Sequence, residues 1–250
     1  MNDHELAARL ATEAGVLLLD VRAELSASSP QARKAAGDKR SHAFLIAALA
    51  AERPGDVVLS EEGPGEGPEP ARLAADRVWI VDPLDGTREF AEPGRTDWAV
   101  HVALWQRDGA SAGLVAGAVA LPAQGITLAT PTVAAPPAAP EVPRIVVSRT
   151  RPPAIALDVR AAVNGVLVEM GSAGAKVASV IQGVADIYVH AGGQYEWDSA
   201  APVAVARAAG LHTSRIDGTE LIYNQRDSML PDLVVCRPEF AGAVLAVTKG

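Results

Sequence analysis

The sequence predicts a mixed α/β protein whose two halves are built differently, and three observations carry that expectation. Apolar residues recur at helical spacing near the start and then give way to short apolar runs whose spacing suits a largely antiparallel sheet. Beyond Pro143, strand-like and helix-like stretches alternate, as in an α/β layer. Between the two, residues 129–143 are almost only Ala, Pro, Thr and Val, with prolines at 131, 136, 137, 140 and 143, so they can neither pair in a sheet nor continue a helix. This surface connection divides an N-terminal α+β unit, 1–135, from a C-terminal α/β unit, 136–250.

Leu6, Leu10, Ala14, Leu17, Leu18, Val21 and Leu25 step by three or four and predict an amphipathic helix from about Asp3 to Leu25. A second helix is expected to open at Asp38, a good N-cap, and to stop at Arg53-Pro54-Gly55. Val57–Leu59, Val78–Val81, Trp98–Trp105, Val115–Leu121 and Ile126–Ala129 read as strands. In the second half, strands are expected at Arg144–Val147, Val166–Met170, Ala185–Val189 and Leu233–Cys236. Helices are expected at Ala173–Gln182, at Ser199–Ala209 before Gly210, and from Pro238, a residue suited to the first helical position.

Composition excludes several functions. A net charge of −8 offers a phosphate backbone no electrostatic grip, which argues against nucleic-acid binding. Cys236 is the only cysteine, so no internal disulfide can form, which fits a reducing compartment. The start carries no basic cluster, and the most lipid-like stretch, Gly113–Ala123, falls well short of the roughly 20 residues that span a bilayer. A cytoplasmic protein without a membrane partner is expected.

Three acidic segments carry chemistry: Glu61-Glu62, Asp82-Pro83-Leu84-Asp85-Gly86-Thr87, and Trp197-Asp198. In the middle one, a buried strand ends at Asp82, and Pro83 holds Asp82 extended while denying the ladder its next donor. Gly86 permits a tight turn whose following amides can converge if a helix starts there. Two carboxylates beside a donor-rich turn describe a site for a hard cation and a phosphate together. A calcium EF-hand is excluded by Thr87 and Pro93 at its sixth and twelfth positions. Aspartate-nucleophile phosphatases are excluded by Pro83, which stands where their first aspartate falls. Taken singly, Glu61-Glu62 reads as a solvated loop, Asp198 as a helix N-cap and the DPLDG segment as a turn; their joint order favours the site.

Asp38, Glu61-Glu62, Asp82-Pro-Leu-Asp-Gly-Thr87 and Trp197-Asp198-x-Ala-Ala-Pro202, in that order, resemble the magnesium-dependent, lithium-sensitive phosphatases of the inositol monophosphatase superfamily, over nearly the whole chain. Within it, Asp82–Phe90, Gly171–Lys176 and His190–Gln194 look most like the actinobacterial 3'(2'),5'-bisphosphate nucleotidases. The resemblance implies a layered α/β/α/β/α sandwich of the inositol monophosphatase and fructose-1,6-bisphosphatase type, with the site between its halves and often a homodimer. It implies two or three Mg2+ ions on Glu61, Asp82, the carbonyl of Leu84, Asp85 and Asp198. Asp38 and Thr87, with Glu61 as the other candidate base, match the groups that orient and deprotonate the attacking water. Asp85, Gly86, Thr87 and Asp198 match substrate contacts, and Gly171, Ser172, Ala173 and Lys176 match the substrate wall. In-line displacement with no covalent intermediate follows, the alkoxide leaving on the side of Asp82, Asp85 and Asp198.

Physical reasoning supports that ligand set. Carboxylates about 5 Å apart repel by about 3 kcal/mol per pair at an effective dielectric near 20, so they must take up protons or bind cations. An oxygen-only shell suits magnesium, and the absence of His and Cys from it argues against zinc. The implied reaction is hydrolysis of adenosine 3',5'-bisphosphate to AMP and phosphate, beside sulfate assimilation, with inositol monophosphate or fructose 1,6-bisphosphate as alternative substrates. A non-catalytic metal- or nucleotide-sensing module is the other alternative, and it would not need the water-activating pair Asp38 and Thr87. Arg149, with Arg151 and Lys176, is a candidate for the phosphate that is not cleaved; Tyr195 and Trp197 are candidates for stacking on a base. His101 and His190 read as structural or wall residues.

Overall fold

In the computed structural model, which describes residues 1–64 and 69–249, the first helix, α1 (Asp3–Glu24), opens at a capping box. The Asn2 side chain accepts from the Glu5 amide at 2.9 Å, and Glu5 accepts from the Asn2 amide at 3.0 Å. Helix α2 (Pro30–Glu52) starts nine residues before the expected point, because Ser29 rather than Asp38 caps it and Pro30 occupies its first turn. Asp38 therefore lies within the helix and is not its cap.

Then follow β1 (Val57–Ser60), β2 (Gly63–Pro64), α3 (Glu69–Ala74), β3 (Arg77–Asp85), α4 (Thr87–Ala91), β4 (Ala99–Asp108), β5 (Ser111–Leu121), a 3-10 turn and β6 (Ile126–Ala129). These strands form one sheet in the order β2-β1-β3-β4-β5-β6. It is antiparallel except that β1 runs parallel to β3, with Ser60 beside Val81. That exception places the residue after β1 next to the end of β3.

The second half contains β7 (Arg144–Ser148), α5 (Ile155–Val163), β8 (Val166–Met170), α6 (Ala173–Ile181), β9 (Ile187–Tyr195), α7 (Glu196–Ala208), β10 (His212–Ser214), β11 (Met229–Cys236) and α8 (Pro238–Thr248). The five strands pair as β10-β11-β9-β7-β8, with mixed directions. Helix α5 escaped the sequence reading, as did the short β10. Helix α7 begins three residues earlier than expected, with Tyr195 at its N-cap position and Asp198 in its first turn.

Strand alternation divides the apolar residues between layers. Trp79, Val81, Val100, Val102 and Leu104 face α1 and α2, while Val78, Ile80, Ala99, Ala103 and Trp105 face α6 and α7. Beyond those central helices lies the second sheet, whose far face packs Ile145, Val147, Val189 and Val234 with residues of α5 and α8. The result is five layers, α/β/α/β/α. The same alternation puts Asp82 and His101, paired across β3 and β4, on the face toward the central helices. No helix among the described residues is long and apolar enough to cross a membrane, and Gly113–Ala123 lies largely in β5.

Candidate active site

The site grows from a break in the β3–β4 ladder. Pairing holds through Asp82 with His101 and resumes only at Asp85 with Ala99. Pro83 has no amide to offer there, and its carbonyl accepts from Ser41 Oγ of α2 at 2.7 Å. The Leu84 amide turns back to Asp82 Oδ1 at 3.0 Å. Gly86 then adopts φ +84°, and a Cβ there would lie 2.9 Å from that of Ser172, so both conformation and space require glycine before α4.

Asp82, Asp85 and Asp198 each present an oxygen within 4.8 Å of the others. Asp198 reaches them from the first turn of α7, where it also accepts from the Tyr195 amide at 2.7 Å. Glu61, brought alongside by the parallel β1, shares a hydrogen bond with Asp82. Burial, then the charges of Glu61, Asp85 and Asp198, pushes Asp82 well above the usual carboxylate range. Glu61 is reachable from the open cleft, yet desolvation and the facing carboxylates of Asp198 and Asp85 raise it to about 7. Burial and Asp85 raise Asp198 to about 6.

Asp85 is the exception. Ser172 Oγ and the Gly174 amide donate to its Oδ2 at 2.5 Å each, and the Ala173 amide donates to Oδ1 at 3.1 Å. His101 Nε2 lies 3.2 Å from Oδ2. Burial would raise Asp85, but His101 and Ser172 outweigh it and hold the carboxyl near 2. A carboxylate from the first half thus caps α6 of the second.

A cavity of about 750 Å³ opens above these groups, bordered by Gly86, Thr87, Gly171–Ala173, Lys176, Tyr195 and Trp197. Asp38 faces the Thr87 hydroxyl, and burial, then Glu62, raises it to about 6. Thr87 has one proton to give and also stands 3.2 Å from the Leu84 carbonyl. Gly171–Ala173 is wall and tie at once: besides its bonds to Asp85, the Gly171 amide donates to Asp97 Oδ2 at 2.5 Å. Lys176 Nζ is buried and donates to the carbonyls of Gly171 and Ser172 at 3.2 and 2.5 Å.

Arg149 borders the cavity, but its guanidinium is engaged by Glu89 at 2.7 Å and Glu92 at 2.6 Å. A phosphate at Arg149, the contact expected from the sequence, would share the guanidinium with these two carboxylates of the first half. Tyr195 and Trp197 stack on each other, with centroids 4.7 Å apart and planes 11° from parallel. His190 bonds to the Gly193 carbonyl, away from the carboxylates.

Two cations on the cavity wall, Lys34 and Arg88, escaped the sequence reading. Lys34 stands one helical turn before Asp38, so recognising Ser29-Pro30 as the start of α2 would have put both on one face. The sequence marks His101 as a structural or wall residue, and nothing local shows that its ring meets Asp85.

Hard oxygen donors, mutual repulsion and the absence of any ion pair to Glu61, Asp82 or Asp198 among the described residues all fit a divalent cation. Residues 5–247 match the sequence profile of the inositol monophosphatase family. The chain belongs to that family. A protein of Mycobacterium tuberculosis named 3'-phosphoadenosine 5'-phosphate phosphatase is 53% identical over 238 residues, covering 93% of this chain and 88% of its own. Its namesake in Mycobacterium leprae is 50% identical, covering 100% and 94%. Among solved structures, CysQ from Bacteroides thetaiotaomicron superposes with a TM-score of 0.73 at 26% identity, covering 93% of this chain and 96% of that one. The layered architecture is therefore that of the family.

Proposed function

We propose that this chain is a magnesium-dependent phosphomonoester hydrolase that converts adenosine 3',5'-bisphosphate to AMP and phosphate. The observation that carries the reading is the meeting of Asp82, Asp85 and Asp198, with Glu61 beside them, at the foot of a cavity walled by Lys34, Arg88 and Lys176. The names of the mycobacterial relatives supply the substrate. Two or three magnesium ions bound by Glu61, Asp82, Asp85, Asp198 and the Leu84 carbonyl would supply positive charge for the phosphoryl oxygens, a water acidic enough to attack at neutral pH, and stabilisation of the departing alkoxide.

The chain's own residues do the rest. Asp38, raised toward neutrality, and the Thr87 hydroxyl it faces form the pair suited to orienting a water and accepting its proton. Gly86 and Thr87, at the start of α4, offer amides to phosphate oxygens. Lys34 and Arg88 on the cavity wall join Arg149, Arg151 and Lys176, the residues expected from the sequence, in providing charge for a second, uncleaved phosphate. A role beside sulfate assimilation and inhibition by lithium complete the reading.

Phosphate release tests it. Adenosine 3',5'-bisphosphate, inositol monophosphate and fructose 1,6-bisphosphate are each supplied with magnesium, then with lithium added. Preferred, lithium-sensitive release from the first is expected. Preference for either of the others reassigns the substrate, and release from none favours a sensor.

A further inference from the structure

His101 is fully buried at the seam between the two halves, and its two ring nitrogens approach groups of different halves. Nδ1 is hydrogen-bonded at 3.0 Å to the carbonyl of Trp197, the residue before Asp198, and Nε2 comes within 3.2 Å of Asp85 Oδ2, at the end of β3, as a close contact without hydrogen-bond alignment. The ring is closely housed: a Cβ on Gly174 would lie 1.9 Å from Nε2. Asp85 Oδ2 is thereby surrounded by His101, Ser172 Oγ and the Gly174 amide, whereas Oδ1 accepts only the longer bond from Ala173. A carboxylate held this way has one oxygen committed to the protein and the other left for a ligand.

We propose that His101 is a positioning residue for the cation site. It fixes the carboxylate plane of Asp85 and, through the Trp197 carbonyl, the first turn of α7 that carries Asp198, so that ligands from the two halves keep the separation a cation requires. Partners of this kind that orient metal ligands typically govern affinity by about 10- to 100-fold. The inference rests on the reading of Asp82, Asp85 and Asp198 as cation ligands, and its test reads binding apart from turnover.

The experiment compares Mn2+ affinity, measured by calorimetry or electron paramagnetic resonance without substrate, in wild type and three variants. His101→Asn keeps a donor near the Trp197 carbonyl and loses the contact at Asp85. His101→Gln does the reverse, and Gly174→Ala displaces the ring without changing it. Melting temperature, kcat and KM are recorded for each. Expected are Mn2+ affinity about 10- to 100-fold weaker in His101→Asn, partial recovery in His101→Gln, and a fall in kcat larger than any change in KM. Should His101→Asn not fold, Gly174→Ala must show the same loss of affinity. Unchanged affinity in the folded variants overturns the proposal, as does losing affinity only in step with melting temperature. Tighter Mn2+ binding also overturns it, because the ring would then be a competing charge. A wild type that binds Mn2+ and loses it on substitution, but releases no phosphate, leaves this proposal standing and removes the assigned activity.

Discussion

On the floor of the cleft, Glu61, Asp82 and Asp198 confront one another with no ion-paired cation among the described residues. At the rim, Arg149 is met by Glu89 and Glu92 at 2.7 and 2.6 Å, and Arg95 is paired with Asp97. The rim spends its charges on joining the halves: Arg149 follows β7 of the second sheet, its two carboxylates stand in or beside α4 of the first half, and Asp97 also accepts from Gly171. Its groups satisfy one another and need nothing further. The floor is left unbalanced, and its carboxyls answer by rising to about 6 and 7. Charge that the protein has already answered marks architecture here, and charge it has left open marks the place for a ligand.

The sharpest way to break this contrast is Asp82→Asn. Turnover should fall by more than about a hundredfold, beyond the range typical of groups that merely orient a ligand. Without metal, this variant should melt no lower than wild type at pH 8, because a carboxyl whose ionisation is disfavoured by burial and by its neighbours has been replaced by a neutral amide. Near-normal turnover in the folded variant would strike Asp82 from the mechanism.

A second expectation concerns pH. Glu61 and Asp198 titrate near 7 and 6 in the folded protein, above their ordinary values of 4.5 and 3.8. The folded state therefore holds more protons than the unfolded chain across that window, and the stability from these groups is present below about pH 4 and lost as pH rises to about 7. Asp85 has the opposite sign, its contribution being lost only as pH falls toward 2. The metal-free protein should melt at progressively lower temperature from pH 4.5 to 7.5. Added Mg2+, which competes with those protons, should raise the melting temperature more at pH 8 than at pH 5.5. A magnesium effect independent of pH would mean that cations bind elsewhere.

At the rim, Arg149→Met leaves the buried carboxylate of Glu89 without its partner and should lower the melting temperature by about 5 to 10 °C while changing kcat less than about threefold. A large rise in substrate KM would give Arg149 the phosphate-binding role expected from the sequence. The smallest effect is expected from Tyr195→Phe: the stack on Trp197 survives and KM stays within about twofold if the hydroxyl makes no contact with substrate.

The first half was the more legible. Its strands alternate against helices on both faces, so apolar periodicity locates them, and the DPLDGT segment announces a strand end and a tight turn through residues with few other uses. Local signals also misled. Asp38 has the chemistry of an N-cap, but Ser29-Pro30 is the stronger start signal and lies in a stretch with no apolar period to draw attention to it. Asp198 and Ser199 likewise suggested a helix start that lies three residues earlier, with Asp198 bonding back to Tyr195. Helix α5 follows Pro152-Pro153, a pair that reads as loop.

By itself the sequence determined most of the element types, the five layers through the resemblance its motifs carry, and the set of acidic residues that could hold a cation, because residue type and spacing are local properties. Tertiary structure alone decided which charges remain open. Whether Arg149 carries its charge alone was open until Glu89 and Glu92, about sixty residues earlier in the chain, were found beside it. Asp85 could have matched Asp82 until α6 and His101 were found to hold it. Both outcomes follow from pairings across the seam between halves, where a side chain's field depends on neighbours that no short window of sequence contains.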